Sequence, residues 1–192
     1  MPLTKQEIIS RATPYFLENG YNGIGMNQLL DQLKMSKGGF YHHFKSKEEL
    51  AIGVAQSFYE NKFHEIESIA ADSGSFQDKV DQIAKVMQSS VAMMCDKGRN
   101  ICLYMFEMMQ KSKEICSTIE QNYSSLLHAV EDALQQGVSE GELQSSLNVT
   151  SAALHLVGLV DGLLIFSSVL KDSMLNYVNQ VFQQFYNGVK AL

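Results

Sequence analysis

The sequence predicts an all-α protein of about nine helices, and three observations carry that prediction. Only 2 of the 192 residues are proline. Apolar residues recur at helical spacing through nearly every segment. The breaks between segments carry helix-start chemistry, a Ser or Thr with an acidic residue three positions on. With 45% hydrophobic and 19% charged residues, the composition is that of an ordinary globular chain able to bury one sizeable core or two small ones.

Thr4 and Glu7 form a capping box that opens the first helix, and Ile8, Ile9, Ala12 and Phe16 follow on one face. Pro14 removes the bond to the carbonyl of Ser10, which predicts a kink, and "ENGYNG" ends the helix. Met26 to Leu33 is a short helix with Leu29, Leu30 and Leu33 on one face, and "KMS" is a tight link to a second short helix from Ser36 to about His43. Ser46 with Glu49 opens a helix to about Ala71, and Ser75 with Asp78 one to about Asp96, broken by Gly98. Ile101 to Met109 is short and Met-rich, and Ser112 to Gln136 is long and ends at "GVSEGEL". Asn148 to about Leu170 and Ser173 to about Val189 close the chain. No internal repeat is visible.

Two helices joined by a tight turn, the second only about seven residues long, give the helix-turn-helix layout. Charge agrees with a polyanion-facing end. The net charge is −6, yet residues 1–50 hold six basic groups against five acidic ones, and Lys34, Lys37, Lys45 and Lys47 cluster with no acid among them.

The stretch "SKGGFYHHFKSKEEL" then has a physical reading. A recognition helix enters the major groove by its N-terminal turn, so backbone there must come close to phosphates and base edges. Gly38 and Gly39 clear side chains from that turn, at a cost of roughly 0.5–1 kcal/mol each relative to Ala. Phe40 and Phe44, four apart, can pack inward against Leu29 and Leu33. Tyr41 and His42 then point outward, Lys37 reaches a phosphate or a guanine edge, and Lys47 suits a phosphate. Neighbouring residues on a helix diverge by about 100°, so His42 and His43 cannot chelate one metal, and no metal or cofactor is expected.

At this point the segment Gly20 to Leu50 resembles the DNA-binding domain of the TetR family of transcriptional regulators. The matching features are Gly20-Tyr21, Ser36-x-Gly38, Phe40-Tyr41-x-His43-Phe44 and Lys47-Glu48-x-Leu50. The resemblance implies a helix-turn-helix domain over residues 1–47, and a helical effector-binding and dimerisation domain over 48–192. It implies a homodimer on a palindromic double-stranded operator, released by a small-molecule effector that the sequence does not identify. By the family pattern the DNA contacts fall on Asn27, Ser36, Lys37, Gly38, Tyr41, His42 and Lys47. The chain departs from the pattern at Gly25, which lacks a capping hydroxyl, at Leu30 and Leu33, which replace small residues, at Pro14, and at Lys34, which replaces a turn glycine. A lysine in a left-handed turn costs roughly 1 kcal/mol.

The last two helices carry broad apolar faces, and the family places a four-helix dimer interface there. The expected interface residues are Leu156, Leu159, Leu163, Phe166, Val178, Phe182 and Phe185, with Gly158 and Gly162 allowing close approach. The Met-rich middle, with the pocket that the family implies, gives Met87, Met94, Cys102, Met105, Phe106, Met109, Tyr123 and Phe166 as effector-contacting candidates. Asp161 is expected to be hydrogen-bonded or at a helix edge.

The longest apolar stretch, "AALHLVGLVDGLLIFSSVL", is interrupted by His155, Asp161 and two Ser, and the N-terminus shows no leader core, so a cytoplasmic protein without membrane contact is expected. A repressor is expected, with activation as the other mode within the family. A helical interaction module without DNA function is the rival, and a helical enzyme lacks any nucleophile–base spacing.

Three cysteines, Cys95, Cys102 and Cys116, form neither a disulfide framework nor a zinc pattern. "NICLYMFEM" resembles a Cys-Leu segment in family branches that sense electrophiles or oxidants, against the alternative of an inert Cys102. A Cys102→Ser variant tests this: it keeps DNA binding but no longer responds to an electrophile that releases the wild type, as followed by gel shift. Equal release of both variants removes the thiol from the mechanism.

Overall fold

Helix starts fall where the capping residues put them. In the computed structural model, which describes residues 3–97 and 101–191, Thr4 and Glu7 close the expected capping box and open α1, Lys5–Gly23. α2 is Met26–Leu33, and α3 is Lys37–His43 behind a Ser36 cap whose hydroxyl accepts the Gly39 N–H at 3.1 Å. Ser46 caps α4, Lys47–Ala71, and Ser75 caps α5, Phe76–Lys97, through the N–H groups of Glu49 and Asp78. α6 is Ile101–Lys111, α7 Lys113–Ser139, α8 Val149–Leu170 and α9 Val178–Val189. These are nine α-helices among the described residues, with a 3-10 turn at Lys171–Met174 and one isolated bridge between Leu143 and Lys190. The side chains of residues 59, 62, 94–97, 101, 102, 171 and 172 lie outside the described set, and with them the candidates Met94 and Cys102.

The kink expected at Pro14 and the start of α9 differ from expectation, while the break in α1 falls inside the expected "ENGYNG". The backbone stays helical through Pro14, and the departure within α1 falls at Gly20, with φ 69° and ψ 173°. That conformation is open to glycine almost alone, so the chain turns there. α9 begins at Val178 and not near Ser173, because the Ser173 hydroxyl bonds back to the Leu170 carbonyl at 2.6 Å and caps nothing ahead of it. Lys34 does adopt the left-handed turn, at φ 52° and ψ 44°, and its N–H closes the end of α2.

The chain divides into two compact units, Met1–Asn61 with Gly98–Glu120, and Lys62–Lys97 with Gln121–Leu192, so α4 and α7 each contribute to both. In the first unit, α1 buries Ile8, Ile9, Ala12, Phe16 and Leu17, and α2 buries Leu29, Leu30 and Leu33. α4 adds Leu50, Ala51, Val54 and Ala55. α6 is fastened by Tyr104, fully buried, whose ring stacks on Phe16 at 5.7 Å and whose hydroxyl donates to the Ala51 carbonyl at 2.5 Å. Burial, with a lesser push from Glu107, drives the Tyr104 phenol far above its ordinary pKa, so it remains a donor. Lys5 joins α1 to α4 through Glu49 at 2.9 Å.

In the second unit, α5 packs against α8 and α9 through Phe76, Val80, Ile83 and Met87 on α5 and Val178, Phe182 and Phe185 on α9. The Glu142 carboxylate accepts the Phe76 and Gln77 N–H groups at 2.7 and 2.8 Å, capping α5, and also the Tyr186 hydroxyl at 3.2 Å. Gln183 donates to Asp81 at 2.5 Å. Buried Lys79 donates to the Ala70 carbonyl at the end of α4, where a cation complements the helix dipole. Asp161 is hydrogen-bonded, as expected, by the Tyr123 hydroxyl at 2.6 Å, and Phe63 meets the Tyr123 ring edge-on at 4.7 Å.

The face α8 turns outward corrects the expected interface. Leu156, Leu163, Val178, Phe182 and Phe185 are buried in the chain itself, and Leu159 is half-buried. The exposed residues are Leu154, Ile165, Phe166, Val169 and Leu170, with Val169 72% exposed, beside a Gly158 and Gly162 that meet nothing within 4 Å. Of the expected α8 residues Phe166 does face outward, whereas Leu156 and Leu163 turn to the core, because α8 is apolar nearly all round and periodicity has little polar side to mark. α8 is long and apolar enough to cross a membrane by length and composition, with a mean hydropathy of 2.0 over its most apolar window.

Gly20→Ala is expected to destabilise the protein by roughly 1–3 kcal/mol, the cost of forcing a side chain into that backbone region. Thermal unfolding of the two proteins checks it. An unchanged midpoint would mean that the corner is not fixed in solution.

Candidate nucleic-acid interface

The candidate surface is the N-terminal turn of α3. Seven residues are too few to hold a helix in water, so tertiary burial must do it. Phe40 and Phe44 supply that burial: both are essentially inaccessible, with ring centroids 5.6 Å apart, in a core shared with Leu29 and Leu33. Each such side chain is worth roughly 1.5–3 kcal/mol.

Fixing Phe40 inward fixes what faces out. Lys37, Gly38, Gly39, Tyr41 and His42 are all exposed, Tyr41 by 49%. A Cβ built on Gly38 meets nothing within 4 Å. The Tyr41 ring leans edge-on against Phe40 at 5.4 Å, which sets its direction and leaves its hydroxyl outside. His42 and His43 rings meet edge-on at 5.0 Å as neighbours on the helix surface, and no group of three His, Cys, Asp or Glu with metal-binding geometry occurs among the described residues. Ser36 and Asn27 are also exposed, although the Ser36 hydroxyl is engaged as the cap of α3.

Lys47 is placed differently from the rest. It is half-buried, and its ammonium donates to the carbonyls of Tyr21 at 2.6 Å and Ile24 at 2.7 Å while lying 4.2 Å from the centre of the Tyr21 ring. Loss of water lowers its pKa, helped by Lys111 and opposed by Glu107. The sequence suggested a free phosphate contact because lysine at a helix start near a recognition helix reads that way. The signal for its second role was the Gly20-Tyr21 pair, whose turned backbone exposes carbonyls that need a donor.

The effector candidates fall in both units. Met105, Phe106 and Met109 belong to the first, where Met105 is buried and Phe106 is 56% exposed. Met87, Tyr123 and Phe166 belong to the second, where Met87 is buried, Tyr123 is held by Asp161 and Phe166 is exposed.

Comparison with known proteins bears on this geometry. Residues 8–54 match the family model of bacterial regulatory proteins of the tetR family, and residues 76–178 match that of the tetracyclin repressor-like C-terminal domain. A fatty acid metabolism regulator protein of Bacillus subtilis is 23% identical over 186 residues, covering 95% of this chain and 94% of its own. The transcriptional repressor NemR of Escherichia coli is 24% identical over 140 residues, 70% of this chain and 68% of its own. Among solved structures, a transcriptional regulator of Saccharomonospora viridis in complex with choline superposes with a TM-score of 0.82 at 14% identity, covering 98% of each chain, which establishes the common fold.

Gly38 gives a test that separates folding from binding. Gly38→Leu is expected to leave the fold intact and to stabilise it by about 0.5–1 kcal/mol through helix propensity, because the site is open. The same change is expected to weaken DNA binding at least about tenfold by holding the turn away from the groove. Thermal unfolding and fluorescence anisotropy measure the two effects, and retained DNA affinity would rule this turn out.

Proposed function

The chain belongs to the TetR family of bacterial transcriptional regulators, and on that premise we propose that it is a repressor. It grips a palindromic operator as a homodimer, one α3 helix per half-site, and lets go when a small-molecule effector binds the segment 48–192. The observation that carries the DNA reading is the division of α3 into a buried side, Phe40 with Phe44, and a bare side, Lys37, Gly38, Tyr41 and His42. Lys37 and Tyr41 address phosphates or base edges, His42 the groove, and Asn27 and Ser36 the flanking backbone. Lys47 acts first as a brace for the turn after α1.

The homodimer reading rests on α8. Leu154, Ile165, Phe166 and Val169 form an exposed apolar stripe, and the two bare glycines at 158 and 162 admit a second helix closely. An apolar stripe of this length needs a partner, and a second copy of the same helix supplies matching chemistry across a two-fold axis. On this reading α8 makes a subunit contact, and the chain works in the cytoplasm where its operator lies. The related regulators bind unlike molecules: the Bacillus subtilis FadR structure contains stearoyl-CoA and the Saccharomonospora viridis one choline. Met87 and Tyr123, the latter with its Asp161 partner, are the effector contacts we retain from the second unit. An effector acts only by binding one conformer better than the other, and coupling of roughly 1–3 kcal/mol weakens operator binding about 5–150-fold.

Two measurements test the reading. On DNA from upstream of its own gene, affinity is expected to fall roughly a thousandfold between about 50 and 200 mM salt, with Lys37→Ala reducing the log–log slope by about 1.8 for two copies. A flat salt response would remove the DNA function. Phe166→Asp is expected to weaken dimerisation by about 4 kcal/mol, two lost apolar contacts per dimer, with helix content unchanged. Sedimentation velocity reads this directly, and a dimer that persists places the interface elsewhere.

A further inference from the structure

The corner between α1 and α2 is held from outside the helix-turn-helix. At Gly20 the chain leaves the helix, and the next N–H, that of Tyr21, donates to Glu107 Oε2 of α6 at 2.9 Å. The Asn22 amide donates to the other oxygen, Oε1, at 3.0 Å. The carboxylate comes so near that a Cβ on Gly20 would lie 3.3 Å from Oε2. On the carbonyl side, Lys47 takes the Tyr21 and Ile24 oxygens. The Tyr21 ring has two ammonium groups over it, Lys47 at 4.2 Å and Lys111 of α6 at 4.5 Å. Burial raises the Tyr21 phenol pKa, so the ring stays neutral between them.

This is more fastening than the three-helix head needs. The core of the head is apolar, built from Ile8, Phe16, Leu29, Leu33, Phe40 and Phe44, whereas the Glu107 carboxylate engages the polar groups of Tyr21 and Asn22. Glu107 stands three residues after Tyr104, on the same side of α6. Tyr104 fixes α6 to the body of α1 and to α4, by the Phe16 stack and the Ala51 bond. Glu107 instead grips the short turn that leads into α2 and then α3. One helix face thus holds α1 on both sides of its break, once by a buried ring and once by a charge.

We propose that Glu107 is a positioning residue for DNA recognition: by clamping the Tyr21–Asn22 turn to α6, it fixes the bearing of α2 and α3, and so the spacing at which two heads meet two half-sites. The clamp is made of charge-assisted bonds at a partly buried site, strong enough to hold the turn and separable from the apolar core. A displacement of α6 pulls the turn directly, without passing through the packing of Phe40 and Phe44.

The inference rests on the operator-binding reading, and the experiment separates the two. The full-length wild type selects an operator from a random DNA library, and probes are made with the half-sites moved apart by one or two base pairs. Glu107→Ala and Glu107→Gln are measured on every probe, alongside thermal unfolding and hydrogen exchange at the Tyr21 amide. The expected result is a fold that stays intact, Tyr21 exchange at least about tenfold faster in Glu107→Ala, and a preference for the native spacing that shrinks at least about fivefold. Glu107→Gln, which keeps one acceptor, falls between. The inference is overturned if Glu107→Ala retains the wild-type spacing preference, or if it loses affinity equally on all probes in step with lost stability, which is what a merely structural residue would do. Unchanged Tyr21 exchange also overturns it. A wild type that enriches no DNA would instead bring down the operator-binding reading and this one with it.

Discussion

The short helix α3 exists only because Phe40 and Phe44 are buried, and the rest of the functional reading depends on that constraint. With those two rings inward, the 3.6-residue period leaves Lys37, Tyr41 and His42 no direction but outward. Glycine at 38 then matters for what it lacks. The head spends helix propensity at its first turn and recovers stability through the rings one turn later. A recognition surface is in this sense the reverse side of a core contact, which is why the two are written within the same fifteen residues.

Much of this is legible in the sequence alone. Capping pairs such as Thr4 with Glu7 and Ser75 with Asp78 act over three residues, so they can be read locally, and they placed helix starts to within a residue or two. The inward and outward sides of α3 followed from the spacing of two phenylalanines. What failed did so for physical reasons. Pro14 reads as a kink, yet the backbone angles stay helical there, and the turn falls at Gly20 inside the "ENGYNG" that the sequence marks as the helix end. α8 is apolar nearly all round, so its buried face is decided by α5 and α9 more than by its own pattern. Lys47 was read as free because its partners are carbonyls of a turn whose shape only the folded backbone defines. The role of Glu107 was invisible for the same reason, since its partners lie 85 and 86 positions away in sequence.

The kinship found by comparison is strong in fold and thin in sequence. A chain can superpose with a TM-score of 0.82 at 14% identity because an all-helical scaffold asks mainly for apolar residues at the right period.

Glu142 carries one further consequence, for how the polypeptide is made. Its carboxylate closes the start of α5, yet its own backbone is tied to the far end of the chain: its carbonyl accepts the Ala191 N–H at 2.8 Å, and its side chain meets Tyr186. Gln183 holds Asp81 across the same gap. Translation delivers α5 about a hundred residues before α9, so this unit cannot be completed until α9 itself has been made. A chain interrupted before α9, by a frameshift or a premature stop, would leave an apolar face of α5 without its cover, a product suited to proteolysis rather than to partial activity.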